Sequence, residues 1–381
     1  MKKYISILCI GLVIGIVGGI FLYTKFSHFN FKGITIEKKS ASASKASSNN
    51  TVNSSAAKPT DRTTSASPTP SPALSTGQTP VQQHGQLKVS GNKIVDKNGT
   101  PFQLRGMSTH GIQWYGDFVN KSSFTTLRDD WNVNCIRISM YTDDNSDYQT
   151  KKDDLKKIVN DGIQNCIDLG LYVIVDWHIL SDGNPNAHRD EAIIFFRELA
   201  KQYKNNPNVL YEICNEPNGS VSWNNDIKPY CEQVIREIRT EDKNAIVIAG
   251  TPNWSQQIDD AANNRLSDSN VVYALHFYAN TQKDALRNTL STCIKDKNLP
   301  VLVSEFGTCD ASGNGGLNLD ETKIWLKLLD TDKIGYINWS LSTKAETASC
   351  FKAGTSPQGN WKASDLTDSG KFIRDWFRAE K

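Results

Sequence analysis

From residue 135 onward the chain alternates between short apolar runs and longer stretches in which apolar residues recur every three or four positions. The runs are CIRISM (135–140), LYVIVDWH (171–178), VLYEICNE (209–216), AIVIAG (245–250), VVYALHFY (271–278), PVLVSEF (300–306) and IGYINWSL (334–341). Runs of this length with little alternation predict strands buried on both faces. An eighth, FQLRGMS (102–108), stands ahead of them, behind alternating apolar residues around Gly91 and again around Asn98 and Gly99 that predict a β-hairpin. Between the runs, Lys151 to Leu169 places Leu155, Ile158, Val159, Gly162, Ile163 and Cys166 on one helical face. Lys228 to Arg239 does the same with Tyr230, Val234 and Ile238, and Pro229 suits its first turn. Eight strand-helix units in 87–381 predict an α/β chain folded as a (β/α)8 TIM barrel with an N-terminal β-hairpin. A doubly wound open sheet is the alternative, but no glycine-rich phosphate loop follows the first strand.

The first part of the chain has a different pattern. Tyr4 to Tyr23 is an uncharged apolar stretch of twenty residues, flanked by Lys2 and Lys3 and followed by Lys25. It is long enough to span a bilayer, and the lysines before it belong on the cytoplasmic side. Residues 1–39 are therefore expected to be a signal-anchor with its flank, which attaches the chain to the membrane. A cleaved signal peptide is the alternative, with Gly18 and Gly19 a weak internal site, since TKFSHF offers no small-x-small pair beyond the stretch. Either way the body is exported: it sits on the extracellular side of the membrane, or is secreted if the segment is cut. Residues 40–86 are rich in Ser, Thr, Ala and Pro, and hold too few large apolar side chains to offset the entropy of ordering them. They are expected to be a disordered linker, with 87–381 the barrel domain.

Charge narrows the function. Residues 1–86 carry 9 Lys+Arg against 2 Asp+Glu, whereas 87–381 carry 34 against 39. The slightly acidic body excludes a nucleic-acid partner as the natural reading. The cysteines at 9, 135, 166, 214, 231, 293, 309 and 350 form neither a CxxC pair nor a zinc spacing. No metal and no cofactor is expected. Most of these cysteines fall in apolar or helical segments and read as buried thiols, whereas Cys309 lies in a loop and is a candidate reactive one.

A barrel collects its functional groups at the C-terminal ends of its strands. There the sequence offers His110, Arg137, His178, Asn215, Glu216, His276, Tyr278, Glu305 and Trp339. Two carboxylates delivered by two strand ends, Glu216 and Glu305, are the simplest arrangement for cleaving a glycosidic bond. Alone, either is more often a loop charge, and Trp339 or Trp254 more often core or rim packing; a structural ion pair is the alternative for Arg137, and a satisfied rim histidine the alternative for His110. Together, in barrel register, they point to chemistry.

The blocks LRGMSTHGIQWYGDFVN, IRISMY, VIVDWHIL, YEICNEPNG, HFYA, VSEFGTCDASGNGG and NWSLSTKAET resemble glycoside hydrolase family 5, of the bacterial endo-1,4-β-glucanase type, from Leu87 to about the C-terminus. The resemblance implies a retaining double displacement, with Glu216 as acid/base and Glu305 as nucleophile. It also implies that Arg137 and Tyr278 hold Glu305, that Asn215 reaches the sugar 2-hydroxyl, and that His178 and His276 shape the cleavage site. His110, Trp114, Tyr115, Tyr141, Trp254 and Trp339 are the implied sugar platforms. Ala311 and Ser312, and Lys344, Ala345 and Glu346, join them by residue-by-residue match. The implied partner is a β-1,4-linked glucan, cut by a monomer. Xylan, mannan and mixed-linkage glucan remain alternatives for the same carboxylates, as does a non-catalytic carbohydrate-binding surface protein.

Overall fold

The computed structural model describes residues 77–379, so the stretch expected to be an anchor and most of the expected linker lie outside the described residues. Strands β1 (Lys88–Ser90) and β2 (Lys93–Val95) form the antiparallel hairpin, with Gly91 at φ +61° in its turn. β3 (Arg105–Thr109), β4 (Cys135–Tyr141), β5 (Tyr172–His178), β6 (Val209–Glu212), β7 (Val247–Ala249), β8 (Val271–Tyr278), β9 (Val301–Gly307) and β10 (Tyr336–Leu341) follow. All eight pair in parallel, and β10 returns to β3 to close the barrel.

Each apolar run supplies one strand, but not all of each run is strand. The run 209–216 stops pairing as a strand at Glu212, four residues before Glu216. Its extension is nevertheless tied to both neighbours: Ile213 N–H donates to Ile248 O, Asn215 N–H to Trp177 O and Glu216 N–H to Ile179 O. The expected helices are present as Tyr148–Leu169 and Lys228–Glu241. The first presents Leu155, Val159, Ile163 and Cys166 to the barrel and ends at Gly170, whose φ of +66° closes the helix.

Alternation along the strands sorts side chains into layers. Tyr211, Val173, Val175, Tyr273 and Leu275 point outward into the shell shared with the helices. Leu210, Ile174, Cys135, Val272, Ala274, Leu302 and Ile337 point inward and fill the lower half of the barrel. Leu87 and Ile94 from the hairpin join that inner group and seal the barrel's lower end. Above it the inward positions turn polar, and there the site is built.

β9 departs from this regularity. Ala274 pairs with Leu302 and His276 with Glu305, while Tyr336 pairs with Val303 and Asn338 with Phe306, so β9 holds one residue more than either neighbour. A bulge of this kind re-aims side chains. It lets the consecutive residues Ser304 and Glu305 both serve the interior.

Regular structure already stands ahead of the expected boundary at Leu87. Pro80–His84 is a short helix capped by Thr79, whose hydroxyl accepts from Gln82 N–H while the Gln82 side chain accepts from Thr79 N–H. It docks on the barrel's lower end: Val81 N–H donates to Gly170 O, Lys97 N–H to His84 O and Tyr172 O–H to Gly85 O. The polar composition that suggested a linker throughout 40–86 missed this because the segment is held by hydrogen bonds, Val81 and the His84 ring, which packs on Phe102 and meets Asp96. Among the described residues no helix is long and apolar enough to cross a membrane.

A fragment starting at Leu87 should therefore unfold below one starting at Gly77. Losing a few such hydrogen bonds costs on the order of 2 kcal/mol, or about 4 °C for a domain of this size. Equal melting temperatures by calorimetry would show that the short helix contributes nothing to the barrel.

Candidate active site

The upper interior is organised by one arginine. Arg137 follows Cys135 on the inner face of β4 and has no exposed surface. Its Nε donates to Glu212 Oε2 (2.7 Å), Nη1 to Glu305 Oε2 (3.1 Å) and Nη2 to Asn215 Oδ1 (2.7 Å), with Asp176 Oδ2 3.0 Å from Nη2. Burial would lower its pKa, but the charges of Asp176, Glu212 and Glu305 together push it up. Registry accounts for the gathering, because Ser139 pairs with Asp176 and Asp176 with Glu212, which puts one height on three adjacent strands.

The carboxylates differ in state. Burial alone would raise Glu212, yet Arg137 and His276 hold it down to about 2. Burial pushes Asp176 well above the carboxylate range, with Arg137 offsetting only part of it. For Glu305, burial and then the neighbouring Glu216 raise its pKa against the pull of His276 and Arg137. Its two oxygens are both used: Oε1 accepts from Tyr278 O–H (2.8 Å) and Oε2 from Arg137. Glu216 Oε1 lies 2.9 Å from His276 Nδ1.

A carboxylate oxygen of Glu216, a ring nitrogen of His276 and a carboxylate oxygen of Glu305 lie within 4.8 Å of one another. This is also the one set among the described residues with the spacing to hold a metal ion. Its atoms are already engaged with each other, with Arg137 and with Tyr278.

The two histidines are set apart. His178 Nδ1 faces Asp176 Oδ2 at 2.6 Å, and its Nε2 lies 3.3 Å from the Asn215 amide nitrogen. Because Asn215 Oδ1 accepts from Arg137, that nitrogen is the donor, so His178 Nε2 is bare and Nδ1 carries the proton. Burial and then Arg137 push the His178 pKa down to about 3, in keeping with a neutral ring. Asn215 Nδ2 also donates to Ile179 O (3.1 Å), so the amide expected to reach a sugar hydroxyl is fully engaged within the protein.

Two walls flank the carboxylates. On one, His110, Trp114, Tyr141 and Trp339 assemble, with His110 and Tyr141 stacked at 6.2 Å and Trp339 stacked on His178 at 5.2 Å. Trp114 is half exposed, while Tyr115 is half-buried beneath His110. Lys344 Nζ reaches Glu346 Oε2 (2.7 Å) and His110 Nε2 (3.3 Å), whereas Ala345 is exposed beside them.

On the other side, Trp254, Ala311 and Ser312 line a cavity of about 490 Å³ with Glu216, His276 and Tyr278. Asn253, Gln256 and Gln282 line it too, which the sequence did not single out. Asn253, Trp254 and Ser255 all hold φ near +55°, a left-handed backbone that costs each roughly 1–2 kcal/mol. Trp254 N–H to Pro217 O (3.1 Å) and Ser255 O–H to Asn215 O (2.6 Å) tie that strain to the segment carrying Glu216.

The structure thus brings the seven residues expected around the reacting centre into one buried group. It adds Asp176, Glu212 and Ser304, whose only signal was a polar group inside an apolar run. It overturns the expectation for Cys309: the thiol has no exposed surface, and burial followed by Glu346 and Asp310 pushes it up to about 12.

The profile of the family described as Cellulase (glycosyl hydrolase family 5) matches residues 95–345. An endoglucanase of Clostridium saccharobutylicum is 49% identical over 293 residues, 76% of this chain and 64% of that protein. Endoglucanase N of Pectobacterium atrosepticum is 45% identical over 301 residues, 79% of this chain and 67% of that protein. The chain thus spans only about two thirds of these relatives' length. Among solved structures, the catalytic domain of a Thermobifida fusca endoglucanase in complex with cellotetraose superposes with a TM-score of 0.75 and 38% identity, covering 79% of this chain and all of that one. A Cytophaga hutchinsonii structure gives 0.77 and 42%, covering 80% and 97%.

Replacing Arg137 with Met should destabilise the fold by about 3–5 kcal/mol at neutral pH, because buried carboxylates lose their cation. Glu212 sits low in the folded state, so its contribution is full above the ordinary carboxylate range and fades as pH falls toward its folded pKa. Urea unfolding should show the gap between the two proteins narrowing below about pH 4. A constant gap would mean that the ion pairs are not its source.

Proposed function

The chain belongs to glycosyl hydrolase family 5, and from that premise we propose that it is a retaining endo-1,4-β-glucanase acting on cellulose and related β-glucans. The observation that carries this is that one carboxylate oxygen of Glu216 and one of Glu305 lie within 4.8 Å of each other at the mouth of the barrel. Retaining glycosidases hold their two carboxyl groups about 5–5.5 Å apart, close enough for one to bond the anomeric carbon; inverting enzymes leave room for a water.

In the proposed reaction a Glu305 oxygen attacks the anomeric carbon while Glu216 gives its proton to the departing glycosidic oxygen. The hydrogen bonds from Arg137 and Tyr278 favour the charged form of Glu305 and aim it. Two carboxyl groups this close share one proton between them, and those donors leave it with Glu216. Glu305 loses its charge on becoming an ester. Glu216 then takes a proton from water, which attacks the same carbon and frees Glu305. Asn215 would exchange one of its internal partners for the 2-hydroxyl.

The aromatic wall of His110, Trp114, Tyr141 and Trp339, with Lys344 and Glu346, would hold the sugars on one side of the scissile bond. Trp254, Ala311 and Ser312 would hold those on the other. Names of the relatives support the β-1,4-glucan reading, as does the cellotetraose in the Thermobifida protein.

Viscosity and reducing ends should be followed on carboxymethyl cellulose, xylan, glucomannan and mixed-linkage β-glucan. A fast viscosity drop on carboxymethyl cellulose is expected. Glu305→Ala should abolish it, with azide restoring some turnover and giving inverted product. Activity only on xylan or mannan would move the substrate, and a fully active Glu305→Ala would overturn the mechanism.

The apolar stretch from Tyr4 to Tyr23 supports placing the enzyme on the outer side of the membrane by an uncleaved anchor. Fractionation of producing cells should then recover full-length protein with the membranes. A shortened chain free in the medium would show that the segment is cleaved.

A further inference from the structure

Glu216 stands beyond the last paired residue of its strand, so its backbone must be held from both sides by other means. β6 pairs with β7 only as far as Glu212 opposite Ile248, and Ile213 N–H to Ile248 O is the last bond of that ladder. On the β5 side, Asn215 N–H and Glu216 N–H donate to Trp177 O and Ile179 O. On the β7 side, one turn takes the carbonyls of the residues before and after Glu216. Asn215 O accepts from Ser255 O–H (2.6 Å), and Pro217 O accepts from Trp254 N–H (3.1 Å). The two segments come this close because Gly250, just past β7, has no side chain: a Cβ there would lie 2.2 Å from Cys214 O and 2.9 Å from Asn215 O.

Ser255 is the buried anchor of that turn and has no exposed surface. A carbonyl can only accept, so the single hydrogen of the Ser255 hydroxyl goes to Asn215 O, while its oxygen accepts from Thr251 N–H (3.2 Å). Trp254, its neighbour in the chain, faces the other way. Its indole is 43% exposed and lines the cavity that Glu216, His276 and Tyr278 also line. Two adjacent residues thus hold a sugar platform and the backbone of the acid. Both are left-handed, a conformation that survives only where its surroundings over-determine it, and here the surroundings are the carbonyls flanking Glu216.

We infer that Ser255 is a positioning residue for Glu216, through which the contact between Trp254 and the leaving-side sugar raises the rate of bond cleavage and not the affinity alone. Contacts remote from the reacting centre act on rate when they orient it. A misplacement of about 1 Å can cost about 100-fold. The oxygen that takes the proton of Glu216 belongs to the sugar chain that Trp254 would hold, so one short piece of backbone aligns donor and acceptor. This rests on the acid/base role proposed for Glu216 and on the leaving-side place proposed for Trp254.

The test uses Ser255→Ala and Ser255→Gly in the full chain, each alone and combined with Trp254→Ala. The Gly variant also lacks the hydroxyl but is unstrained at φ +55°, so it carries the test if the Ala protein fails to fold. kcat and KM are measured on cellopentaose. On 2,4-dinitrophenyl β-cellobioside, whose leaving group needs no proton and brings no sugar to Trp254, kcat/KM is measured.

Ser255→Ala should lower kcat on cellopentaose about tenfold with KM within about twofold, and lower kcat/KM on the aryl glycoside by less than about twofold. Trp254→Ala alone should lower kcat on cellopentaose as well as raise KM. In either Ser255 variant, Trp254→Ala should still raise KM but lower kcat no further, because both substitutions act through one placement. Equal losses on the two substrates, a Ser255 effect confined to KM, or kcat losses that multiply in the double variants would each overturn the inference. A Trp254→Ala protein with unchanged kinetics would overturn the platform reading of Trp254, and a wild-type chain inert on both substrates the hydrolase reading, each taking the inference with it.

Discussion

The interior of this barrel depends on a guanidinium that has no water. A buried cation must be met by anions and acceptors at fixed positions, and Arg137 uses both edges of its fork to reach Glu212, Glu305, Asn215 and Asp176. Such an arrangement is weak evidence of design for stability, since a well-packed apolar core of the same volume is often as stable. What an apolar core would not do is fix four polar side chains at once. One charge sets the height at which β5, β6 and β9 present their functional groups. It also ties the carboxylate that would attack to Glu212 and Asn215 on the neighbouring strand and its extension.

The fold was legible because its strands are buried on both faces, and that burial writes itself into the chain as unbroken apolar runs. The two catalytic candidates were legible for a related reason: a carboxylate at the end of such a run has nowhere apolar to go. Asp176, Glu212 and Ser304 escaped because their meaning lies in register. Nothing in VIVDWH or LYEICNE states that Asp176 and Glu212 stand side by side beneath Glu216, which only the pairing of β5 with β6 decides. The extra residue of β9 is likewise invisible in PVLVSEF, because it exists only relative to β8 and β10. Cys309 misled for the opposite reason, its position in a loop suggesting an exposure that packing against Tyr278, Trp339 and Ala348 removes.

The two walls of the cleft are made by different physics. His110, Tyr141, Trp339 and His178 hold one another by ring contacts, so that wall is rigid through packing. Trp254 is presented instead by a left-handed backbone that no side chain prefers, and its hydrogen bonds lead straight back to Asn215 and Pro217. Strain of this kind persists only where surrounding structure over-determines it. Here it couples the placement of an exposed indole to the segment that carries Glu216.

The apolar plug under the site has a bearing on where protons come from. Leu87, just ahead of the hairpin, and Ile94 within it, with Leu104, Leu210, Leu302 and Ile337, close the bottom of the barrel with apolar side chains. With a polysaccharide lying across the mouth, the proton given to the departing sugar can be replaced only by the water that enters once that sugar has left. That same water carries out the second displacement. On the proposed mechanism, a turnover therefore balances its own proton account, and the acid is re-armed by the step that releases the product rather than by the buffer outside.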